Sequence, residues 1–211
     1  MIPIFIVNVY KDDPTILRQC LTRLRMFYLT SPLVMIADGD QNMIYSDLAF
    51  EFKARLTMGS RLKLPQCGGA WSKRMYTEGL REQGDTIIKL DPDSYMWRAF
   101  ETDPAGDYCG YIRGGRKPHI HGACKSLSVT ATRSVLEDFS NSKYVNNDEF
   151  TYLKNGERVI SDDLITADVM QERNIPLTNW PEISPFPLES SAIFAVTHGY
   201  TKVVQQIHHS P

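Results

Sequence analysis

The residues best equipped for chemistry are Asp91-Pro92-Asp93, which close the apolar run Ile87-Ile88-Lys89-Leu90. A strand ending there delivers two carboxylates at i and i+2, and Pro92 stiffens the turn between them. Hard oxygen donors at that separation suit a divalent cation such as Mg²⁺ or Mn²⁺, which in turn bridges the phosphates of a nucleotide. The same aspartates also serve as turn caps, and three residues alone do not choose between the two readings. His198 follows a second apolar run at 192–196, where a strand end would present it. Neutral imidazole is a competent Mn²⁺ donor, whereas without the Asp91/Asp93 pair His198 would read as a surface residue. A third acidic point is Ser161-Asp162-Asp163. Ser161 suits a helix N-cap and acids suit the first turn, which accounts for them without chemistry; alternatively, one of the two works as a general base or charge stabiliser.

Several further residues stand where ligands bind. Asp38 ends the apolar segment 33–37 and suits a ribose or base edge, or a turn cap. Lys73 and Arg74 lie on a helix upstream of Asp91, within reach of a diphosphate or on a solvated face. Residues 113–117 form a basic loop. Trp71, Trp97 and Trp180 read as packing residues, with Trp180 the best placed to stack on a sugar. His208 and His209 fall in a tail and are assigned no role.

These residues need a scaffold. The apolar run at 2–9 predicts a buried strand, and Asp13-Pro14 predicts a capped helix whose buried face carries Ile16, Leu17, Cys20, Leu21, Leu24, Phe27 and Tyr28. A strand at 33–37, a helix at 46–56, a short segment at 61–64, a helix at 69–83 closed by Gly84 and a strand at 86–90 follow. Strands alternating with helices predict an α/β fold with a mixed, mostly parallel central sheet flanked by helices. The back half loosens to a strand at 108–112, helices at 126–138 and 162–173, and a strand at 192–197. No repeat or low-complexity stretch interrupts it.

A chain of 211 residues is long enough for one domain with a continuous core, and the whole of 1–211 reads as a single domain of the kind that a longer protein can contain. Its 23 basic and 25 acidic side chains give a net charge of −2, which argues against nucleic acid or an anionic membrane as the main partner. The four cysteines form no CxxC pair, so they are expected as free thiols in a reducing, cytoplasmic compartment. No stretch is long and apolar enough to span a bilayer, and no secretion signal is visible.

Residues 68–80 (Gly68-Gly69-Ala70-Trp71-Ser72-Lys73-Arg74 and onward), then Gln83-Gly84-Asp85, the strand and the Asp91/Asp93 pair resemble the GT-A glycosyltransferases. The resemblance implies a metal-dependent enzyme moving a sugar from a nucleotide-sugar, with residues 1–95 as the nucleotide half and 96–211 as the sugar and acceptor half. Asn8-Val9-Tyr10 and Asp38-Gly39-Asp40 look like the strand ends that hold base and ribose. His121-Gly122-Ala123 is similar to a small-residue turn, followed by a helix, beneath sugar and acceptor. Ser161-Asp162-Asp163-Leu164 resembles the acidic motif facing the reacting sugar; either aspartate, acting as base or as stabiliser, would decide between inversion and retention. Residues 195–202 look like a His…Lys segment in which His198 joins Asp91 and Asp93 on the metal and Lys202 meets a phosphate. More narrowly, the chain looks like the chlorovirus glycosyltransferases of capsid glycans. That implies a UDP-sugar, Mn²⁺, a glycan or glycoprotein acceptor and a host cytoplasmic setting. Two alternatives remain: a haloacid-dehalogenase phosphatase, whose signature is also a strand ending in DxD, and a nucleotide-sugar binding module without turnover. Against the phosphatase, Tyr95 stands where a small β-branched residue is expected. A sugar-1-phosphate nucleotidyltransferase lacks support because no Gly-rich loop follows the first strand.

Overall fold

The computed structural model describes residues 1–39, 43–114, 117–154, 156–184 and 195–198. It is an α/β structure built on a central sheet. The front half gives β1 (Pro3–Val9), α1 (Pro14–Phe27), β2 (Leu33–Asp38), α2 (Met43–Glu51), β3 (Arg55–Gly59), α3 (Ala70–Gly79) and β4 (Thr86–Leu90). The back half adds β5 (Ser94–Met96), β6 (Tyr108–Arg113), β7 (His119–Ser128), α4 (Val129–Val135), β8 (Thr151–Lys154), β9 (Glu157–Ile160), α5 (Asp162–Glu172), β10 (Leu177–Asn179), β11 (Ile183–Ser184) and β12 (Val196–His198). The central sheet runs β10-β6-β7-β4-β1-β2-β3, and within it only β7 is antiparallel to its neighbours.

The period of β1 explains how both faces are covered. Phe5, Val7 and Val9 face α1 and α2, while Ile4 and Ile6 face α3 and α5. Each such fully buried side chain contributes roughly 1.5–3 kcal/mol. Asp13 caps α1 as expected, accepting from the N–H of Thr15 at 2.7 Å, with Pro14 in the first turn. Ser161 caps α5 by accepting from the N–H of Leu164.

Four expectations are corrected. The second helix begins earlier and stops at Glu51, because Lys53 takes a left-handed φ of 49° and the chain turns into β3, which pairs with β2. The third helix ends at Gly79 rather than running to Gly84. Residues 126–128 belong to β7, and the next helix starts only at Val129 behind a Ser128 cap. His121-Gly122-Ala123 is not a turn before a helix but part of β7 itself. There the pairing with β6 shifts, so residues 121–124 lie between the Gly110 and Ile112 registers. Of the expected last strand, 196–198 form β12, which pairs with β5 and β11 in a small second sheet; 192–194 lie outside the described residues. Among the described residues no helix is long and apolar enough to cross a membrane.

Candidate functional site

Parallel strands leave a crevice at their carboxyl ends, where backbone groups and the first loop residues converge. Here β1 delivers Asn8, Val9 and Tyr10, β2 delivers Asp38, and β4 delivers Asp91 and Asp93 to the rim of one cavity of about 590 Å³. The rest of the lining comes mainly from the back half: His121 and Gly122 of β7, Asp162 and Asp163 of α5, and His198 of β12. Ala123 lies next on β7.

β12 pairs antiparallel with β5, matching His198 with Ser94 and so bringing the imidazole over the turn that follows β4. His198 Nε2 lies 3.0 Å from Asp93 Oδ1 and 3.3 Å from Asp91 Oδ2, and one donor atom of each of the three residues lies within 4.8 Å of the others. Burial works against a charged ring, but its hydrogen bonds to Asp91 and Asp93 outweigh this and raise the His198 pKa to about 9. Burial also opposes the charge on Asp91. Lys89 and His198 nonetheless hold its carboxyl well below the usual range. Two carboxylates and an imidazole are the oxygen and nitrogen donors that Mn²⁺ accepts, and three protein ligands leave coordination positions for water or phosphate oxygens. The residues present therefore fit a divalent cation. His121 sits beside this trio with its ring 5.6 Å from that of His198; burial, and then His198, lower its pKa against the pull of Asp163.

Asp162 and Asp163 occupy a different environment. Lys125 is 1 % exposed and donates to Asp162 Oδ2 and Asp163 Oδ1, both at 2.9 Å, while Lys63 Nζ lies 3.1 Å from Asp162 Oδ1. Burial opposes ionisation of Asp162, but Lys125 and Lys63 keep its carboxyl far below the usual range. Asp162 is thereby committed to the interior. Asp163 retains 22 % side-chain exposure and is the member of the pair with surface left for a ligand. Gly122 makes room for it, since a Cβ there would lie 2.6 Å from Asp163 Oδ2.

Tyr10 and Asp38 shape the other end. Asp38 accepts from the N–H groups of Leu62 at 2.6 Å and Lys63 at 3.2 Å, so much of its hydrogen-bonding capacity holds the strap at 61–63 over the cavity. Gly39, at φ 79°, lets that strap approach, for a Cβ there would meet Arg61 Cβ at 2.6 Å. The Arg61 guanidinium lies 3.5 Å from the centroid of the Tyr10 ring and also pairs with Glu157 at 2.7 Å.

Not every expected residue converges. Lys73 pairs with Glu137 at 2.7 Å, and Arg74 bonds the Ser60 carbonyl at 3.3 Å beside the end of the edge strand β3; both line a separate concavity beside α3 rather than the cavity of Asp91 and Asp93. Trp180 is 2 % exposed and packs on Phe100 with ring centroids 4.2 Å apart, which leaves no face for a sugar. Trp71 does line the main cavity. Lys202, Asp40, His208 and His209 lie outside the described residues, as do Gly115 and Arg116 of the basic loop. Lys63, Lys89 and Lys125 were not anticipated as site residues. A signal was available for Lys89, because a lysine inside the apolar stretch at 87–90 is foreign to a buried strand; Lys63 and Lys125 stand in mixed polar surroundings that carry no such mark. All four cysteines are free. Comparison with protein-family models and with curated proteins returned no match.

Proposed function

We propose that this protein is a metal-dependent glycosyltransferase of GT-A type, moving a sugar from a nucleotide-sugar, with a UDP-sugar as the favoured donor, to a glycan or glycoprotein acceptor. The observation that carries the reading is the convergence of Asp91, Asp93 and His198 at the mouth of a cavity that also holds Asp163 and the ends of β1 and β2. Bound Mn²⁺ or Mg²⁺ would supply charge neutralisation for a leaving nucleoside diphosphate. Asn8, Tyr10 and Asp38 would orient base and ribose from the parallel strand ends. Asp163, in the same cavity as the metal ligands, would take the acceptor hydroxyl or stabilise the reacting sugar, while Lys125 holds it in place. A cytoplasmic setting, and kinship with viral enzymes that build capsid glycans, belong to the same proposal.

Both oxygens of Asp91 are engaged, Oδ1 by Lys89 and Oδ2 by His198. That weighs against a phosphatase in which Asp91 would be the attacking nucleophile. The test is calorimetric titration with UDP, with GDP as comparator, with and without Mn²⁺ and with Asp93→Ala as control. Binding of one nucleotide that requires both Mn²⁺ and Asp93 is expected. Binding of neither nucleotide would remove the donor site and make phosphate release the next assay.

A further inference from the structure

Lys89 is out of character in β4. Ile87, Ile88 and Leu90 build the core, yet the Lys89 side chain is 5 % exposed and donates to Asp91 Oδ1 and to the carbonyl of Gly122. Directly across the β4–β7 ladder stands Lys125, also buried. Like charges opposite one another in a sheet are destabilising unless each is matched. Each is: Lys125 by Asp162 and Asp163, Lys89 by Asp91. Burying an ammonium is costly, and an apolar residue would serve the strand better. What distinguishes Lys89 from the other buried lysine is that its partner is one of the three candidate metal ligands.

Resting on the donor-site reading above, we propose that Lys89 makes metal binding conditional on the anionic donor: it disfavours a bare divalent cation and accommodates one joined by a diphosphate. The charges of the site carry the inference. Six carboxylates (Asp12, Asp38, Asp91, Asp93, Asp162 and Asp163) line the cavity against six cations (Arg61, Lys63, Lys89, Arg113 and Lys154 on its wall, Lys125 behind it), leaving no net charge. A divalent ion beside a neutral His198 leaves two positive charges uncompensated. Lys89 also occupies Asp91 Oδ1, so Asp91 has only Oδ2, the oxygen now facing His198, to offer an ion. Asp91 is partly exposed, but the Lys89 ammonium is buried, so repulsion between it and an ion is only partly screened by salt. A diphosphate supplies the missing negative charge. By linkage, ion and diphosphate then tighten each other's binding by the same factor.

Mn²⁺ binding to the full chain, read from the electron paramagnetic resonance of the free ion, tests this. Wild type, Lys89→Met and Lys89→Arg are titrated alone and with saturating UDP, with Asp93→Ala correcting for Mn²⁺ held by UDP in solution. In the wild type UDP is expected to tighten Mn²⁺ by about tenfold or more. Lys89→Met should bind Mn²⁺ alone about tenfold more tightly and lose the enhancement by the same factor, while Lys89→Arg behaves as wild type. A gain of metal affinity is not what a damaged fold produces. If Lys89→Met binds bare Mn²⁺ no more tightly than wild type, the proposal is overturned. Lys89→Gln, which keeps a donor for Asp91 and Gly122, carries the same criterion should the methionine variant not fold; should neither fold, enhancement below about twofold in the wild type overturns it. Wild type that binds no Mn²⁺ even with UDP removes the donor site itself. UDP-dependent Mn²⁺ binding indifferent to residue 89 removes only the role of Lys89.

Discussion

Two pairs of aspartates line one cavity and are treated in opposite ways. Asp162 and Asp163 sit at the start of α5, where buried Lys125 bridges both and Lys63 adds a second cation to Asp162. Asp91 and Asp93 follow β4 and share a single imidazole, with one ammonium on the far oxygen of Asp91. The first pair has its counter-charge built in. The second has a partner that leaves when it deprotonates, so it is the pair that can exchange its cation. Identical side chains thus differ in role because of the elements that supply their counter-charges.

The comparison can be broken most sharply at Asp162. Asp162→Asn takes the charged partner from partly exposed Lys63 and leaves buried Lys125 with Asp163 alone, and should cost about 2–3 kcal/mol, seen as a drop in the urea midpoint. An unshifted midpoint would mean that its ion pairs are dispensable. Asp93→Ala should lower Mn²⁺-dependent nucleotide affinity by about a hundredfold or more, roughly 2.7 kcal/mol, while the thermal transition stays cooperative. Asp163→Asn should leave the fold and UDP affinity near wild type but reduce sugar transfer by about a hundredfold; unchanged transfer would return Asp163 to a capping role.

The pH dependence sharpens the contrast further. The His198 pKa is raised from 6.5 to about 9 in the metal-free fold. Its charged pairing therefore contributes stability that is fully present below pH 6.5 and is lost as the pH rises through about 9. Mn²⁺ needs the neutral ring, so its affinity should run the opposite way, rising by up to about tenfold per pH unit until the ring is deprotonated. Proton release on Mn²⁺ binding, measured by calorimetry in buffers of different ionisation enthalpy, checks this, and His198→Ala should abolish it. The smallest effect belongs to Lys73→Ala, which breaks a partly exposed pair with Glu137 and should change UDP affinity by less than about twofold and stability by less than about 1 kcal/mol. A large loss of UDP affinity would bring α3 into the donor site.

β1, β2 and β4 were legible as short, mostly apolar runs with their own stop signals, such as the Asp91 turn, and α1 from the helical spacing of its apolar residues behind the Asp13 cap. The helix expected at 46–56 failed at its end because a left-handed lysine, which sequence does not mark as glycine would, redirects the chain into β3. The turn at 121–123 was implied by the family resemblance alone, whereas here the glycine clears space for Asp163 within a strand. Asp91, Asp93 and His198 could be named individually, since each ends an apolar run. Their meeting depends on the β5–β12 pairing, a long-range contact that no local pattern encodes. The helical spacing that put Lys73 and Arg74 upstream of Asp91 did not specify which face of α3 they occupy.

That pairing also bears on how the protein is made. β12 joins β5 late in the chain, so a ribosome will have released the whole central sheet, with Asp91 and Asp93 in place, before His198 can dock. Assembly of the metal trio is then a later event than formation of the central sheet. Nascent chains stopped before residue 195 should resist protease across β1 to β4 yet lack the full metal affinity of chains that include His198.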